Sequence, residues 1–495
     1  MRIAIITVVA LVAAVAAALI LLGRRGLSSG RAARLARVGR LSARLSASWL
    51  GARVRRLFAS RERRARIDAD RRAADARRVA ETMGQMKGAL MKLGQIISFI
   101  SDDVPEEFRA ALASLQASAP PMDLALLRDV AERELGRPLE RAFARFDARP
   151  VASASIGQVH RARLPTGEEV AVKIQYPGVA EAIRGDLDNF GLLYRFVAMA
   201  YPSLDPGPVI AEVRARIGEE LDYIKEAANQ RLFTRLYGGH PYIRVPRIID
   251  SHSTARVLTS EFVDGRRFAD VLADGEAARN RFGEIIYRFV VGSINRFGVF
   301  NGDPHPGNYL FDGEGRVVFL DFGCVKYFPS EMLRNWQQLV LSYLAGDRAT
   351  FRDRLHTLGF FAPGVEPEDD ALDEFFGYFY APFKDDRVFT FTREYNARSL
   401  RLVFKPEGKL LALSKIMNLP PDFTVVNRFQ WGVNSVLAQL GATNNFHRIQ
   451  REIVLGEPPA TELGHAERAF FDGWQRARGV EGKRAPDELR RAAGA

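Results

Sequence analysis

Residues 303–323 read DPHPGNYLFDGEGRVVFLDFG, and most of the information about the fold lies in this stretch. It begins with a loop rich in Pro and Gly, and continues with two short apolar runs on either side of a turn at 312–315. Asp303 and Asn308 lie in the loop, and Asp321 directly follows the second apolar run. The stretch therefore predicts a small β-hairpin with carboxylate and amide side chains at its ends.

Phosphoryl transfer would explain these side chains. Its sites consist of a phosphate cover, a cation, an acid that holds the cation, metal ligands and a group that orients the nucleophile. Asp303 and Asn308 have the spacing of the kinase catalytic loop, and Asp321 follows Asn308 by 13 residues. An isolated Asp-Phe-Gly is usually only a turn. The order and spacing of the motifs together favour a nucleotide site.

A candidate for the cation lies upstream. Residues 151–160 and 169–175 read as strands joined by Pro165-Thr166-Gly167, which predicts a hairpin. The second strand contains Val-Ala-Val-Lys, so Lys173 matches the lysine in the Val-Ala-Ile-Lys pattern of kinases. A lysine at the end of a strand is usually just solvated. Lys173 therefore indicates a nucleotide site only in combination with the motifs downstream.

The acid that holds this lysine should lie on the helix predicted over 211–237. The acidic residues available there are Glu219, Glu220, Asp222 and Glu226. Asp222 and Glu226 are i and i+4 and therefore share a helix face. A solvated acidic face would have the same pattern, so spacing alone does not choose the partner.

Two features differ from an ordinary protein kinase. The phosphate cover should read Gly-x-Gly-x-x-Gly, but small residues replace the glycines here, and they restrict the loop more than glycine does. These residues are Ala152, Ser153, Ala154 and Ser155. The second feature is Lys92-Leu93-Gly94-Gln95, which lies in an amphipathic helix predicted over 82–100, before the nucleotide fold begins.

With these motifs the chain resembles the UbiB family of atypical kinases, also called AarF-domain kinases. The resemblance covers roughly residues 84–440. It rests on Lys-x-Gly-Gln at 92–95, the Ala/Ser-rich loop, Val-Ala-Val-Lys at 170–173, Glu-x-Asp at 220–222, and the motifs at 303–308 and 321–323. It implies an α+β, protein-kinase-like two-lobed fold with a helical N-terminal Lys-x-Gly-Gln extension, to which we add one N-terminal transmembrane helix.

The resemblance also implies roles for individual residues, with ATP and Mg²⁺ as cofactors. Lys173 would pair with Glu226 and contact the nucleotide, Asp303 would be the catalytic-loop acid, and Asn308 and Asp321 would bind Mg²⁺. The implied nucleotide-binding set is Ala152, Ser153, Ala154, Ser155, Lys173, Glu261 and Val263. The implied regulatory set is Lys92, Gly94, Gln95, Glu220 and Asp222. In the family, this extension is thought to block access by protein substrates.

The loop also departs from the family pattern. Phe300-Asn301-Gly302 precedes Asp303 where relatives commonly have His-Ala, which puts the hydrogen bonds that support the loop in question. We expect His305 to be structural rather than a ligand, and Cys324 to pack behind the loop. Because Cys324 is the single cysteine, a disulfide framework and a cysteine-based zinc site are excluded.

The N-terminus holds both the longest apolar run and most of the charge. Residues 3–22 are uninterruptedly apolar, and at about 1.5 Å per residue they span a hydrocarbon core of roughly 30 Å. A cleavable signal peptide is the alternative, but its apolar region is usually shorter. Residues 24–80 contain 18 Arg, no Lys and 4 acidic residues, so a net charge of +14 lies there.

This charge predicts the topology and the partners. By the positive-inside rule, the segment behind the span stays in the cytoplasm. We therefore expect a single-pass protein of a bacterial-type inner membrane with a cytoplasmic kinase-like domain. The Arg-rich segment is either a solvated linker or a helix on anionic membrane lipid, and its position beside the span favours the lipid. Nucleic acid is not expected as a partner, because no aromatic stacking residues are interleaved.

The predicted organisation runs from a membrane anchor to a C-terminal tail. Its parts are the transmembrane anchor 1–23, the Arg-rich juxtamembrane segment 24–80, the helical Lys-x-Gly-Gln extension 81–140, the kinase-like N-lobe 141–264, the helical C-lobe 265–455 and a partly disordered tail 456–495. An aromatic cluster at 375–383 has two interpretations, contact with a lipid or prenyl tail and core packing. Its helical spacing favours the core.

These observations give three hypotheses for function. The first is a membrane-anchored atypical kinase or ATPase that supports isoprenoid-quinone biosynthesis, with quinone precursors or quinone-biosynthesis proteins as partners. The quinone link comes from the resemblance alone. The second is a nucleotide-gated scaffold that organises membrane enzymes without useful turnover, and the third is a true protein kinase. The sequence names no phosphoryl acceptor.

Overall fold

The structure is a computed structural model and describes residues 122–153, 156–180, 221–404 and 406–479. The predicted transmembrane anchor and Arg-rich segment lie outside these residues, as does the extension up to residue 121. Within the described ranges, no helix is both long and apolar enough to cross a bilayer. The chain divides into two compact units. The smaller comprises Met1–Asp123, Ala152–Gln158 and Gln175–Gly218, and the larger comprises Leu124–Val151, Val159–Ile174 and Glu219–Ala495.

The strands are short and lie mainly in the first two thirds of the described chain. They are β1 (Arg145–Phe146), β2 (Ala152–Ser153), β3 (Gly157–Arg163), β4 (Glu169–Gln175), β5 (Ile243–Arg244), β6 (Val257–Glu261), β7 (Arg266–Arg267), β8 (Val299–Asn301), β9 (Tyr309–Phe311), β10 (Val317–Phe319), β11 (Val325–Tyr327), β12 (Phe389–Thr390) and β13 (Thr443–Asn444). Single 3₁₀ turns lie at Asp250–His252 and Pro306–Asn308.

The helices dominate the rest of the chain. They are α1 (Leu124–Leu135), α2 (Leu139–Ala142), α3 (Tyr223–Tyr237), α4 (Phe268–Val271), α5 (Glu276–Phe297), α6 (Ser330–Ala345), α7 (Arg348–Thr357), α8 (Asp369–Lys384), α9 (Arg393–Phe404), α10 (Gly408–Ile416), α11 (Pro421–Leu440), α12 (Phe446–Leu455) and α13 (Glu462–Ala477).

The first sheet has the strand order β1-β3-β4-β6. The predicted hairpin is present, with a tight turn between β3 and β4 in which Gly167 has a φ of +91°, a conformation that favours glycine. Strand β4 pairs antiparallel with β6, with Lys173 opposite Leu258. Alternate residues of β4, such as Val170 and Val172, are fully buried. Lys173 therefore lies on the opposite face of the sheet.

A second sheet, β5-β10-β9-β7, carries the loop and turn of residues 303–323. Strands β9 and β10 are antiparallel neighbours, as predicted for the runs around 312–315. Helix α5 packs beneath them, with the rings of Phe289 and Phe319 stacked at 3.7 Å. The helix ends at Gly298, whose φ of +62° is the left-handed conformation of a glycine C-cap. The turn after α5 leads directly into β8.

The smaller unit is described only at its edges. The Gln158 side chain is fully buried and holds the backbone of Met122, accepting from its N–H and donating to its carbonyl oxygen, both at 3.0 Å. The N–H of Tyr176 donates to the carbonyl oxygen of Ile156 at 2.8 Å. These bonds fix the ends of β3 and β4 within this unit.

Two elements differ from the sequence expectation. The sequence of residues 242–250 predicts one continuous strand, but the structure has only the short strand Ile243–Arg244 and a single antiparallel bridge between Ile248 and Ser260. Pro246, which has no N–H to donate to a sheet, separates the two. The tail expected from residue 456 contains helix α13, whose Leu463, Phe471 and Trp474 are buried in the core. Composition missed this helix because its few apolar residues are spaced along one face of a mostly polar segment.

Candidate active site

Lys173 is the centre of the candidate site. Its ammonium group donates to both carboxylate oxygens of Glu226, at 2.7 and 2.9 Å. The ring of Tyr223 lies beneath the same group, 5.0 Å from its centroid. The side chain of Glu226 is only 2% exposed, so this ion pair is shielded from water. Shielding strengthens the direct attraction between the two charges, and loss of one partner would leave the other as an uncompensated buried charge.

Helix α3 explains why Glu226, among the acidic residues considered, holds the lysine. Asp222 is the N-cap of this helix, and its Oδ1 accepts from the N–H groups of Ile224 and Lys225. Capping therefore occupies Asp222, and Glu226 lies in the first turn, on the inner face. Glu219 and Glu220 lie outside the described residues.

Asp321 is the second carboxylate beside the lysine. Its Oδ2 lies 3.6 Å from the Lys173 ammonium nitrogen, and its Oδ1 accepts from the N–H of Gly323 at 2.9 Å. Burial alone would lower the pKa of Lys173, but the charges of Asp321 and Glu226 outweigh burial and raise that pKa well above its ordinary value. The lysine is therefore cationic at any physiological pH.

Asp303 and Asn308 are joined within the loop that follows β8. The amide nitrogen of Asn308 donates to the carbonyl oxygen of Asp303 at 3.0 Å and to its carboxylate at 3.2 Å. The carbonyl oxygen of Asn308 accepts from the N–H of Leu320, the residue before Asp321. The loop is therefore tied to the strand end that carries Asp321. The ring of His305 accepts from the N–H of Gly307, which is a structural role.

Although Phe300-Asn301-Gly302 departs from the family pattern, these residues make hydrogen bonds that support the loop. The side chain of Asn301 donates to the carbonyl oxygen of Asp321 at 2.5 Å. The N–H of Gly302 donates to the carbonyl oxygen of Cys324 at 2.6 Å, and Cys324 is buried behind the loop. Strands β8 and β11 thus hold the loop and the Asp-Phe-Gly segment together.

Sequence reasoning missed Asn229 as a positioning residue. Its amide nitrogen donates to the carbonyl oxygen of Phe322 at 2.9 Å, and its oxygen accepts from the hydroxyl of Tyr327. Asn229 is i+3 from Glu226, so one face of α3 holds both the lysine and the Asp-Phe-Gly backbone. The fully buried ring of Phe322 packs 4.9 Å from Phe233 on the same helix. The i, i+3 spacing of Glu226 and Asn229 was the sequence feature that could have identified Asn229.

The structure describes five of the seven residues of the predicted nucleotide-binding set. Ala152 and Ser153 form the exposed strand β2 in the smaller unit, and Ala154 and Ser155 lie outside the described residues. Val263 is buried just after β6. The carboxylate of Glu261 accepts from Arg244 at 2.5 Å and from the N–H of Arg247 at 3.3 Å, so this side chain already has partners.

Most of the predicted regulatory set cannot be placed. Lys92, Gly94, Gln95 and Glu220 lie outside the described residues. Asp222 is described, and its role there is to cap the helix that carries Glu226. Any movement of the Glu-x-Asp segment would therefore act on the N-terminal end of α3.

Asn308 and Asp321 fit the chemistry of a magnesium site. Because the nitrogen of the Asn308 amide donates to Asp303, its oxygen is the group left to act as a ligand. Mg²⁺ prefers oxygen ligands and commonly takes one or two from protein and the rest from phosphates and water. Within the described ranges, no cluster of three or more His, Cys, Asp or Glu residues is arranged to hold a metal by itself. The donor set therefore suits a metal that arrives with a nucleotide.

A lysine on β4 paired to a helix glutamate, a loop with Asp and Asn, and an Asp-Phe-Gly segment define a protein-kinase-like α+β fold. The profile of the ABC1 atypical kinase-like domain matches residues 114–354. The chain belongs to this family of atypical kinases, the UbiB or AarF-domain family.

Curated relatives include atypical kinases of eukaryotic organelles. The chain is 29% identical over 382 residues to "Atypical kinase COQ8, mitochondrial" of Saccharomyces cerevisiae, covering 76% of this chain and 75% of the yeast protein. It is 35% identical over 264 residues to "Protein ACTIVITY OF BC1 COMPLEX KINASE 8, chloroplastic" of Arabidopsis thaliana. That match covers 52% of this chain and only 35% of the plant protein.

A solved structure extends the similarity to the fold. It is described as the complex structure of Rv3197 and erythromycin from Mycobacterium tuberculosis, and it is 30% identical to this chain. The match covers 76% of this chain and 95% of that chain, with a TM-score of 0.57.

Proposed function

We propose that this protein binds ATP with Mg²⁺ and uses it for ATP hydrolysis or for phosphoryl transfer to a small molecule. The observation that carries the proposal is the buried ion pair of Lys173 and Glu226, with Asp321 3.6 Å from the lysine ammonium group. A pairing of this kind is what phosphoryl-transfer sites of the kinase type require. Membership of an atypical kinase family supports the same conclusion.

Each described residue of the site has a distinct role in this proposal. Lys173 stays protonated, because its pKa is raised, and would supply positive charge to the phosphates. Asn308 and Asp321 would hold Mg²⁺, which neutralises phosphate charge when bound. Asp303, oriented by the Asn308 amide, would accept a hydrogen bond from the attacking oxygen. Asn229 and Asn301 hold the backbone that aims Asp321.

We place this activity at a membrane. The support is the apolar run 3–22 and the Arg-rich segment 24–80, which predict a single-pass anchor beside anionic lipid and a cytoplasmic catalytic domain. The biological role that we propose is support of isoprenoid-quinone biosynthesis, through quinone precursors or quinone-biosynthesis proteins. Its support is the family and the name COQ8 of the yeast relative.

Phosphate release by the purified full-length protein on anionic liposomes tests this proposal. We expect Mg²⁺-dependent ATP hydrolysis that falls at least about a hundredfold in Asp303→Asn and in Asp321→Asn, since each substitution removes a charge that acts on the reacting phosphate. Asp385→Asn is the matched control, because Asp385 is an exposed aspartate whose nearest salt-bridge partner, Arg387, is 3.6 Å away. This control should retain full activity.

The same preparation separates the alternatives. Binding of ATP without turnover in the wild-type protein would favour a nucleotide-gated scaffold over an enzyme. Radiolabel that moves from ATP to a partner protein, rather than to free phosphate, would favour a protein kinase. Equal hydrolysis by the wild type and Asp321→Asn would contradict the proposed site.

A further inference from the structure

The helical part of the larger unit contains an apolar cavity. Its volume is about 320 Å³, and it is lined by residues of α5, α6, α8, α9, α10, α11 and α12. Its wall is mainly aromatic and aliphatic, with residues such as Ile294, Phe376 and Phe429. None of the active-site residues lines it. Cavities of this size and apolar character are typical of small-molecule sites.

The residues that line this cavity include no Asp, Glu, Lys, Arg or His. An ion placed there would lose its hydration without gaining a counter-ion, which is strongly unfavourable. The cavity therefore suits a neutral molecule. The aromatic cluster at 375–383 contributes to this wall, so its two interpretations are compatible: Phe376, Phe379 and Tyr380 belong to the core and also line the cavity.

Among the described residues of the wall, one buried side-chain atom has no hydrogen-bond partner. Four polar residues of the wall form two hydrogen-bonded pairs. The hydroxyl of Tyr287 donates to Gln450 at 2.7 Å, and the amide of Gln337 donates to Asn295 at 2.9 Å. Asn434 is 6% exposed, and its amide nitrogen has no hydrogen-bond partner among the described residues. A buried donor in this state is unfavourable, and an acceptor on a bound molecule would remove the penalty.

The exposed residues of the lining show where the cavity opens. Ser414, Asn418 and Leu419 are exposed, whereas the other lining residues are buried or half-buried. The mouth therefore lies at the C-terminal end of α10 and the segment after it. Leu411 and Ile416, on the same segment, are exposed large apolar side chains like Leu419. An apolar rim favours entry of an apolar molecule.

We propose that this cavity binds a neutral, largely apolar small molecule that carries a carbonyl or ether oxygen, and that this oxygen accepts a hydrogen bond from the Asn434 amide. The class follows from three features of the wall: its mainly apolar surface, its lack of Asp, Glu, Lys, Arg and His, and its unpartnered donor. The proposal does not depend on the nucleotide chemistry of the candidate active site.

Benzophenone is a suitable probe, because it is a neutral aromatic ketone that inserts into nearby C–H bonds under ultraviolet light. The full-length protein in nanodiscs is irradiated over a range of benzophenone concentrations, and labelled peptides are identified by mass spectrometry. We expect saturable labelling of peptides from the cavity wall, such as the one containing Met417. Excess diphenylmethane, which has the same two rings but no carbonyl, should compete only weakly.

Variants test the two features separately. Asn434→Leu removes the donor and should raise the half-saturating concentration about fivefold to tenfold, which is the worth of one hydrogen bond. Val340→Phe fills the cavity and should abolish labelling of the wall. Gln439→Leu, on the same helix α11 but outside the cavity lining, is the matched control and should leave half-saturation unchanged within about twofold.

Three results would overturn the proposal. They are labelling confined to peptides outside the cavity wall, labelling of the wall that does not saturate, and equal half-saturation in the wild type and Asn434→Leu. Thermal unfolding of each variant confirms that it is folded. If Val340→Phe does not fold, Asn434→Leu still decides the outcome, because removing an unsatisfied buried amide should not destabilise the protein.

Discussion

Lys173 is held between two carboxylates of unequal distance. Glu226 contacts its ammonium group at 2.7 Å, and Asp321 lies 3.6 Å away. In this arrangement Glu226 anchors the lysine, and Asp321 is the carboxylate that we propose as a metal ligand. If Glu226 lost its charge, the lysine would turn to Asp321 and compete with the metal for that carboxylate.

Glu226→Gln should therefore lower kcat/KM for ATP hydrolysis about a hundredfold, which is the effect of about 3 kcal/mol. We expect KM for Mg-ATP to rise as well, because Asp321 would be paired with the lysine. Steady-state kinetics on liposomes measure both. Glu168→Gln is the control, since Glu168 is a partly exposed residue paired with Arg247. Unchanged kinetics in Glu226→Gln would show that this ion pair is not catalytically important.

His240 gives the fold a dependence on pH at the residue scale. Its Nδ1 accepts from the N–H of Ile243 at 3.2 Å, and its ring packs against Tyr242 and Phe470. Burial lowers the pKa of His240 from 6.5 to about 3, against the charge of Glu467 and together with those of nearby arginines. The folded protein therefore holds this ring neutral at neutral pH.

Because the folded pKa is below the unfolded one, the stability from His240 is complete above about pH 6.5 and is lost as the pH falls towards 3. The free energy of unfolding should fall by up to about 1.4 kcal/mol per pH unit in this window for this one proton. His240→Asn keeps an acceptor and should flatten the decline. Urea unfolding between about pH 7 and pH 4.5 measures this, and parallel curves for the two proteins would refute it.

At the element scale, α13 is fastened to α5 by a buried ionic network. Arg288 is fully buried and donates to Glu284, Glu452 and Glu467 at 2.7 to 3.0 Å. Burial opposes the charge of Arg288, but the hydrogen bond to Glu452 and the charges of Glu467 and Glu284 raise its pKa. Glu467 also accepts from Arg296 at 2.9 Å. The last described helix is therefore part of the core.

Glu467→Gln should lower the free energy of unfolding by about 3 kcal/mol, since it leaves the buried Arg288 and the half-buried Arg296 with one carboxylate fewer. Urea unfolding of the full-length protein measures the loss. Glu462→Gln is the control on the same helix and should change stability by less than about 0.5 kcal/mol. If the two variants are equally stable, the network does not fasten the helix.

The active-site elements could be predicted because contiguous sequence motifs specify them. Features formed by residues that are distant in sequence could not be predicted. The hairpin of β3 and β4, the loop 303–308 and the Asp-Phe-Gly segment were each readable because neighbouring residues specify them. Arg288, in contrast, pairs with glutamates 164 and 179 positions away, and no local pattern marks such partners. The cavity near Asn434 also arises only when seven helices pack together. Choosing Glu226 among four acids required the helix cap at Asp222.

At the scale of the whole molecule, the charge is unevenly distributed. The formal charge of the chain is +12, and residues 24–80 carry more than all of it, so the remainder is nearly neutral. This distribution suggests that membrane attachment and catalysis belong to different parts of the chain. The N-terminal segments would bind the membrane, and the kinase-like fold would act beside it.

Without residues 1–23, the protein should still bind anionic vesicles at low salt, but high salt should release it. The Arg-rich segment would still bind anionic vesicles, but surface attraction of this kind is screened at high ionic strength. Vesicle sedimentation at low and high salt measures the bound fraction. The full-length protein should remain bound at both. Salt-resistant binding of the truncated protein would place the anchor elsewhere.

The central claim is that Lys173, Asn308 and Asp321 act together on one nucleotide and its magnesium ion. The most direct measurement is the affinity of the full-length protein for ATP, with and without Mg²⁺, in the wild type, Asp321→Asn and the Asp385→Asn control. We predict that the wild type and the control bind ATP more tightly with Mg²⁺. Asp321→Asn should lose at least about tenfold in affinity for Mg-ATP while it binds metal-free ATP as well as the wild type or better. An affinity for Mg-ATP that is unchanged in Asp321→Asn, or no binding of ATP by the wild type, would contradict the claim.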